Sequence, residues 1–295
     1  MEREFSTIGL IGLPRNSHGV STHLQLYSWL QQAGYRVLVE SPVAEKLGMV
    51  KGSQASLSEI GQQADLVVVV GGDGNMLSAA KALAATNSRL IGVNRGHLGF
   101  LTDLDPAMAK SQLAAVLAGE YRQEQRLLLE VKVNDIDQQC RHKSFVVNEV
   151  VLHPDQVACM VEFEVYIDSR FAFAQRADGL IIATPTGSTA YALSGGGPIV
   201  VPTLNAMIVM PMFPHTLSAR PLVIDGDSCI QLYFSASTTT RPLALSCDGH
   251  TQLAIQLGEH VVIRKSSYQW SLIHPLDYDY FNRLSNKMGW LKKLF

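Results

Sequence analysis

Four residues at the end of an apolar run carry the first chemical signal in the sequence: Gly71-Gly72-Asp73-Gly74, followed by Asn75. Glycines let a backbone approach phosphate oxygens closely, and the free N–H groups of a helix that starts just after them favour an anion. An aspartate repels phosphate, so it is out of place if the loop only holds one. It has a use if it takes a proton from an attacking hydroxyl or binds a magnesium ion. On these residues alone the alternative stands: a glycine-rich turn in which Asp73 caps the helix. The spacing fits neither the phosphate loop that ends in lysine and Ser/Thr nor the six-residue dinucleotide fingerprint.

Three further segments are candidates. Ile91-Gly92-Val93 feeds Asn94-Arg95-Gly96-His97-Leu98-Gly99-Phe100-Leu101, whose glycines imply a tightly bent backbone. Arg95 and His97 could meet phosphate there, or Asn94 could serve a purely structural turn. Asn148-Glu149 interrupts the apolar run Phe145 to Leu152. On a strand the two would face opposite sides, so one points inward and needs a partner, either ribose hydroxyls or a structural hydrogen bond. The longest segment runs from Arg176 and Asp178 through Thr184-Pro185-Thr186-Gly187-Ser188-Thr189-Ala190-Tyr191 to Ser194. Its hydroxyls offer donors and acceptors, and Tyr191 offers an aromatic face or a phenol. Asp248-Gly249-His250 reads as a turn between two strands. No Gly-x-Ser-x-Gly elbow is present, which argues against a serine nucleophile. His153, His215 and His274 read as structural.

The elements that must position these residues change style along the chain. Ile8 to Leu13, Tyr35 to Val39, Leu66 to Val70 and Leu90 to Val93 read as strands. They alternate with helical patterns at Val20 to Leu30, around Ala79 to Ala85 and between Ala107 and Leu117. This is the signature of an open α/β sheet over residues 1–125. From Arg126 strand-like runs dominate: Leu128 to Val133, Phe145 to Leu152, Val161 to Ile167, Leu180 to Ala183, Ile230 to Phe234, Leu243 to Cys247 and Val261 to Arg264. Residues 126–274 are therefore expected to form a β-rich, sandwich-like domain. Residues 275–295 carry Tyr278, Phe281, Leu284, Met288, Trp290, Leu291 and Phe295 and are too apolar for a solvated tail. They are expected to return to the α/β domain, with a subunit contact as the alternative.

Composition bounds the partners. The 295 residues are 47% hydrophobic and 17% charged, with a formal net charge of -2. That gives no general reason to expect nucleic acid or an anionic membrane. Cys140, Cys159, Cys229 and Cys247 are too widely spaced for a short zinc motif or a disulfide framework. The charged N-terminal residues and the lack of about 20 consecutive apolar residues make the cytoplasm the expected location.

The Gly71 to Asn75 loop, the Gly92 to Leu101 loop, Asn148-Glu149 and the Asp178 to Pro198 segment together resemble the NAD kinase family, closest to its bacterial, ATP-using members. The run from Asp178 to Tyr191 is the most specific part. The resemblance implies phosphorylation of the 2′-hydroxyl of the adenosine ribose of NAD by ATP, with a divalent ion (Mg2+ or Mn2+) carried by ATP. Asp73 matches the base. Gly71, Gly72, Gly74, Asn75, Asn94 and Phe100 fall in the nucleotide site, Asn148 and Glu149 match residues that hold the NAD ribose, and Arg176 and Asp178 match the part receiving the nicotinamide end. Thr186 lies in the same run, and Thr189, Ala190, Tyr191 and Ser194 match adenine and phosphate contacts. His250 stands where many relatives have glutamine, and Cys159 where some have histidine; both positions can lie near the nucleotide. The resemblance further implies a homodimer or homotetramer. Phosphofructokinases and diacylglycerol kinases also use a Gly-Gly-Asp-Gly loop, and a non-catalytic NAD sensor is a reading from another class.

Overall fold

The computed structural model describes residues 4–49, 52–86, 88–95, 99–154, 159–234, 243–249, 251–256 and 258–290. The chain divides into two compact units, residues 1–125 with 270–295 and residues 126–269.

The first unit is built on the parallel strands β1 (Thr7–Ile11), β2 (Arg36–Glu40), β3 (Gln54–Ala55), β4 (Leu66–Gly71) and β5 (Arg89–Asn94). Its helices are α1 (Ser17–Gln32), α2 (Ser41–Lys46), α3 (Leu57–Gln63), α4 (Asp73–Ala82) and α5 (Ala109–Leu117). Leu66 to Val70 are buried at every position, as a strand with both faces covered requires. Leu10, Val39, Val68 and Ile91 of the sheet pack with Leu26 and Leu30 of α1 and Leu113 and Val116 of α5. Local signals fix the helix starts. Asn16 caps α1 by accepting from the Gly19 N–H, and Ser56 and Glu59 form a reciprocal capping box on α3.

Strand order in this unit is β5-β4-β1-β2-β3. From β1 the chain moves to β2 and β3 on one side; from β4 it moves to β5 on the other. The carboxyl ends of β1 and β4 therefore flank a topological switch point, where open α/β sheets bind ligands. The edge beyond β5 is taken by the end of β17 (His260–Pro275), paired in parallel at Ser271–Arg89 and Leu272–Leu90. The unit boundary thus falls at residue 270, within this strand, and not after residue 274. The tail returns to the α/β unit as expected and ends in α7 (Tyr280–Met288), capped by Asp279. Leu284 is buried, while Phe281 and Trp290 are exposed. Leu291 and Phe295 lie outside the described residues.

The second unit is antiparallel. One sheet has the order β13-β12-β11-β8-β15-β16, formed by β8 (Glu149–Pro154), β11 (Gly179–Ala183), β12 (Ala206–Met212), β13 (Leu222–Asp225), β15 (Leu243–Cys247) and β16 (Thr251–Ile255). Facing it are β6 (Tyr121–Asn134), β7 (Cys140–Val146), β9 (Val161–Ile167), β10 (Arg170–Ala177), β14 (Cys229–Phe234) and the start of β17. Val131, Phe163, Val165, Leu232 and Ile263 of this layer share one core with Leu152, Leu180, Ile182, Val209 and Leu245 of the other, the packing of a sandwich.

One segment departs from the sequence reading. Phe145 to Leu152 is not a single strand: the ladder breaks between Val146 and Glu149, and Val147 and Asn148 belong to neither β7 nor β8. The opposite-faces argument for Asn148-Glu149 therefore does not apply. The break has a chemical cause, described next.

Candidate active site

In the first unit Asp73 occupies the first turn of α4, directly after β4, with no side-chain cap on that helix. Its carboxylate turns toward the loop after β5. Oδ2 accepts from the Phe100 N–H at 2.8 Å and Oδ1 from the Leu101 N–H at 3.0 Å. Two donors fix the plane of the carboxylate and leave each oxygen a further lone pair for a proton. A Cβ on Gly99 would lie 2.0 Å from Asp73 Oδ1, so only glycine lets the loop come this close. The helix-cap alternative is thereby answered: Asp73 serves the loop opposite.

At the switch point lies a cavity of about 230 Å³, lined by Arg15 and Asn16 after β1, by Gly71, Gly72, Gly74 and Asn75 after β4, and by Arg95 after β5. Two arginines and the amino ends of α1 and α4 border it, an arrangement suited to a polyanion. Asn75 is structural in part, its Nδ2 donating to the Val70 carbonyl at 3.2 Å. Asn94 continues the β5 ladder opposite Gly71, and the Arg95 N–H donates to the Gly71 carbonyl. His97 lies outside the described residues.

The second unit gathers three segments at one end of one sheet, because Ala183 pairs with Glu149 and Cys247 with Val150. There the Asp248 carboxylate accepts from the N–H groups of Val147 at 3.0 Å, Asn148 at 2.7 Å and Glu149 at 3.4 Å. These bonds take amides that a continuous strand would spend on its ladder, which is why β7 and β8 are separate. Thr184 braces the same bend: its hydroxyl donates to the Val147 carbonyl at 2.6 Å and accepts from the Gly187 N–H at 3.0 Å. A Cβ on Gly187 would meet the Asn148 carbonyl oxygen at 2.1 Å.

Glu149 is 7% exposed, and its Oε2 has no hydrogen-bond partner among the described residues. Burial first, and the neighbouring Asp248 charge second, push its carboxyl up to about 7, against a backbone hydrogen bond from Tyr191. A buried acid with an unused oxygen is suited to hydroxyl groups of a ligand.

Other sequence candidates are placed as follows. The Ser188 hydroxyl is buried and spent on Pro185 and Val200. Thr186 is buried beside Arg126, Thr189 bonds back to the Thr186 carbonyl, and Ala190, Tyr191 and Ser194 line the short turn into α6 (Tyr191–Ser194), with Tyr191 and Ser194 exposed. Asp178 is exposed just before β11, six residues or roughly 20 Å along the strand from Thr184, and Arg176 is exposed near the end of β10; neither is brought to Asn148 and Glu149. His250 lies outside the described residues. Sequence reasoning did not single out Arg15 or Asn16, nor the bracing bonds of Thr184 and Asp248. Asn16 had a signal, a helix-cap residue after the first strand; Asp248 had none, since its partners are about a hundred residues away.

A glycine and aspartate loop at an α/β switch point, with a buried carboxylate in a second unit, fits a two-domain nucleotide phosphotransferase. The chain belongs to the ATP-NAD kinase family: the ATP-NAD kinase N-terminal domain matches residues 8–121 and the C-terminal domain residues 147–275. It is 60% identical over 295 residues to an NAD kinase of Serratia proteamaculans, covering 100% of both chains, and 59% identical over 293 residues to one of Yersinia pestis, covering 99% of both. Two solved structures share the fold at 23% identity. A yeast NADH kinase complexed with NADH has a TM-score of 0.88 over 98% of this chain and 89% of its own. An Archaeoglobus fulgidus NAD kinase in complex with ATP has a TM-score of 0.72 over 97% of this chain and 100% of its own.

Proposed function

We propose that Asp73 is the general base of this enzyme. The reaction is that of the family: ATP phosphorylates NAD to NADP, placing the phosphate on the 2′-hydroxyl of the adenosine ribose. Phosphoryl transfer asks chiefly for alignment and charge neutralisation, so the protein must hold two nucleotides and accept one proton. The observation that carries the reading is the Asp73 carboxylate, immobilised by two backbone amides beside the switch-point cavity with lone pairs to spare.

In this reading Arg15, Arg95 and the amides at Gly72 and Gly74 receive the phosphates of ATP. Asn148 and Glu149 hold the acceptor ribose, and Thr189, Ala190, Tyr191 and Ser194 contact adenine and phosphate, with Thr186, Asn94 and Phe100 shaping the two pockets. Arg176, Asp178 and His250 are proposed to meet the remaining part of NAD. Among the described residues no three His, Cys, Asp or Glu side chains cluster to hold a metal. The divalent ion, Mg2+ or Mn2+, is proposed to be carried on the ATP phosphates, where it would neutralise charge on the transferring group. Self-association as a homodimer or homotetramer is supported by the exposed apolar side chains of Phe213, Leu217, Leu222 and Val223. Neither nucleic acid nor membrane is proposed as a partner, and among the described residues no helix is long and apolar enough to cross a membrane. The cytoplasm, which holds ATP and NAD, is the proposed location.

The test is to incubate the purified protein with magnesium, ATP and NAD and to follow NADP through an NADP-specific dehydrogenase. Asp73→Asn is expected to fold and bind NAD with little change while losing most turnover; full turnover in that variant sinks the assignment.

A further inference from the structure

The loop that holds Asp73 is itself held from behind by the C-terminal helix. Arg283 of α7 donates through Nη1 to the carbonyl oxygens of Gly99 at 3.0 Å and Thr102 at 2.7 Å. Its Nη2 lies 2.8 Å from Asp103 Oδ1. The Gly99 carbonyl and the Phe100 N–H are two ends of one peptide group. Arg283 therefore grips the oxygen of the peptide whose N–H grips Asp73. A cation on the oxygen polarises the peptide and strengthens its N–H as a donor, since hydrogen bonds in series reinforce one another.

The guanidinium is held in turn. Its side chain is 12% exposed and Asp103 only 2%. Asp103 Oδ2 also pairs with Nδ1 of the fully buried His274, whose Nε2 lies 3.5 Å from Glu124. Burial works against a charge on His274, but Asp103 and Glu124 outweigh it and raise its pKa above the ordinary imidazole value. His274 stacks on Tyr278 at 3.8 Å between ring centroids, and Arg283 lies over the same ring. The Lys287 ammonium stands 5.4 Å from the Phe100 ring centre. The start of α7 is fixed by Asp279, which accepts from the N–H groups of Phe281 and Asn282.

We infer that Arg283 is a positioning residue for phosphoryl transfer: through the Gly99–Phe100 peptide it fixes the orientation of the Asp73 carboxylate. The inference rests on Asp73 being the base. It gives the returning C-terminal segment a role beyond covering apolar surface, and it requires the forked guanidinium, since an ammonium cannot span two carbonyls and a carboxylate in one plane.

The experiment compares Arg283→Gln and Arg283→Lys with the native enzyme, with melting curves to establish folding. Both variants are expected to lose tenfold or more in kcat, with KM for ATP and NAD within about twofold. Added guanidinium ion is expected to restore part of the kcat of Arg283→Ala. Native kcat in a folded variant overturns the proposal, as does a loss of kcat accompanied by a matching rise in KM and no rescue by guanidinium ion, which is what mere loosening would give. Asp73→Asn run in parallel separates the two readings: full turnover there removes the base assignment, whereas an inactive Asp73→Asn beside a native-like Arg283→Gln removes only the role of Arg283.

Discussion

Replacing Asp248 by asparagine tests the second unit in two directions at once. The carboxylate accepts three consecutive amides, the shortest from Asn148 at 2.7 Å. Asparagine keeps one acceptor, loses the charge and turns an NH2 group toward a remaining N–H. Exchanging charge-assisted bonds for one neutral bond and one unmet donor costs about 2 kcal/mol, or roughly 5 °C in Tm. The opposing effect acts on Glu149. Its folded pKa of about 7 lies above the ordinary carboxylate value of 4.5, so ionising it costs the folded state stability as pH rises through that window. The full penalty is about 3 kcal/mol, the larger part from burial and the rest from Asp248. Removing the Asp248 charge relieves that part only. Asp248→Asn is therefore expected to be destabilised most at pH 5, where Glu149 is protonated, and less at pH 8. With Glu149 in its proposed contact with ribose hydroxyls, the acid limb of kcat/KM for NAD is expected to move to lower pH. Melting curves at the two pH values and a pH profile measure both. A stability loss that is equal or larger at pH 8, or an acid limb that stays in place, refutes the coupling.

Three further outcomes follow from the same geometry. Gly99→Ala puts a methyl 2.0 Å from Asp73 Oδ1, so the carboxylate must move. A displacement of that size is expected to lower kcat on the order of 100-fold with KM for ATP little changed, read by steady-state kinetics. Arg15→Ala is expected to raise KM for ATP about tenfold and leave KM for NAD alone, the loss of one charge-assisted phosphate contact. Glu130 is buried against Lys143, Arg264 and Lys132, which outweigh its burial and lower its pKa to about 2. Its stabilisation is present above about pH 4.5 and lost as pH falls toward 2. Glu130→Gln is expected to melt lower at pH 7 by at most about 2 kcal/mol, since Lys143 and Arg264 are half exposed. The difference should narrow below about pH 4.5 and close only toward pH 2 in an acid titration of stability.

Where backbone period and burial agree, the fold was legible in the sequence. Leu66 to Val70 can be little else than a strand covered on both faces, and the loop after it then stands at a carboxyl end. The sandwich strands showed through runs such as Val161 to Ile167, buried at alternate positions. The break at Val147-Asn148 did not show, because an apolar run reads as one strand until a distant carboxylate takes its amides. Strands β10, β12 and β13 were missed for a related reason. Arg170 to Ala177 and Leu222 to Asp225 are largely exposed strands with little apolar alternation, and Ala206 to Met212 ends in Met-Pro-Met, where proline argues against a strand interior. Asp73 was legible as chemistry but not as geometry: its partners at Phe100 and Leu101 depend on how two loops from adjacent strands meet.

The glycines sort the loop into what the fold needs and what a ligand needs. A Cβ on Gly71 would strike the Asn75 side chain, one on Gly99 the Asp73 carboxylate and one on Gly187 the Asn148 carbonyl, so packing within each unit accounts for all three. Gly72 and Gly74 are different. A Cβ at either meets nothing within 4 Å, and neither residue has a positive φ. Gly74 lies in the first turn of α4, where glycine costs stability relative to alanine, by up to about 1 kcal/mol in a helix interior. Neither packing nor backbone conformation demands glycine at these two positions. What remains is the approach of something outside the chain, close enough that a methyl group would exclude it. In a cavity bordered by Arg15, Arg95 and the starts of two helices, a phosphate oxygen bonded to main-chain N–H groups meets that description.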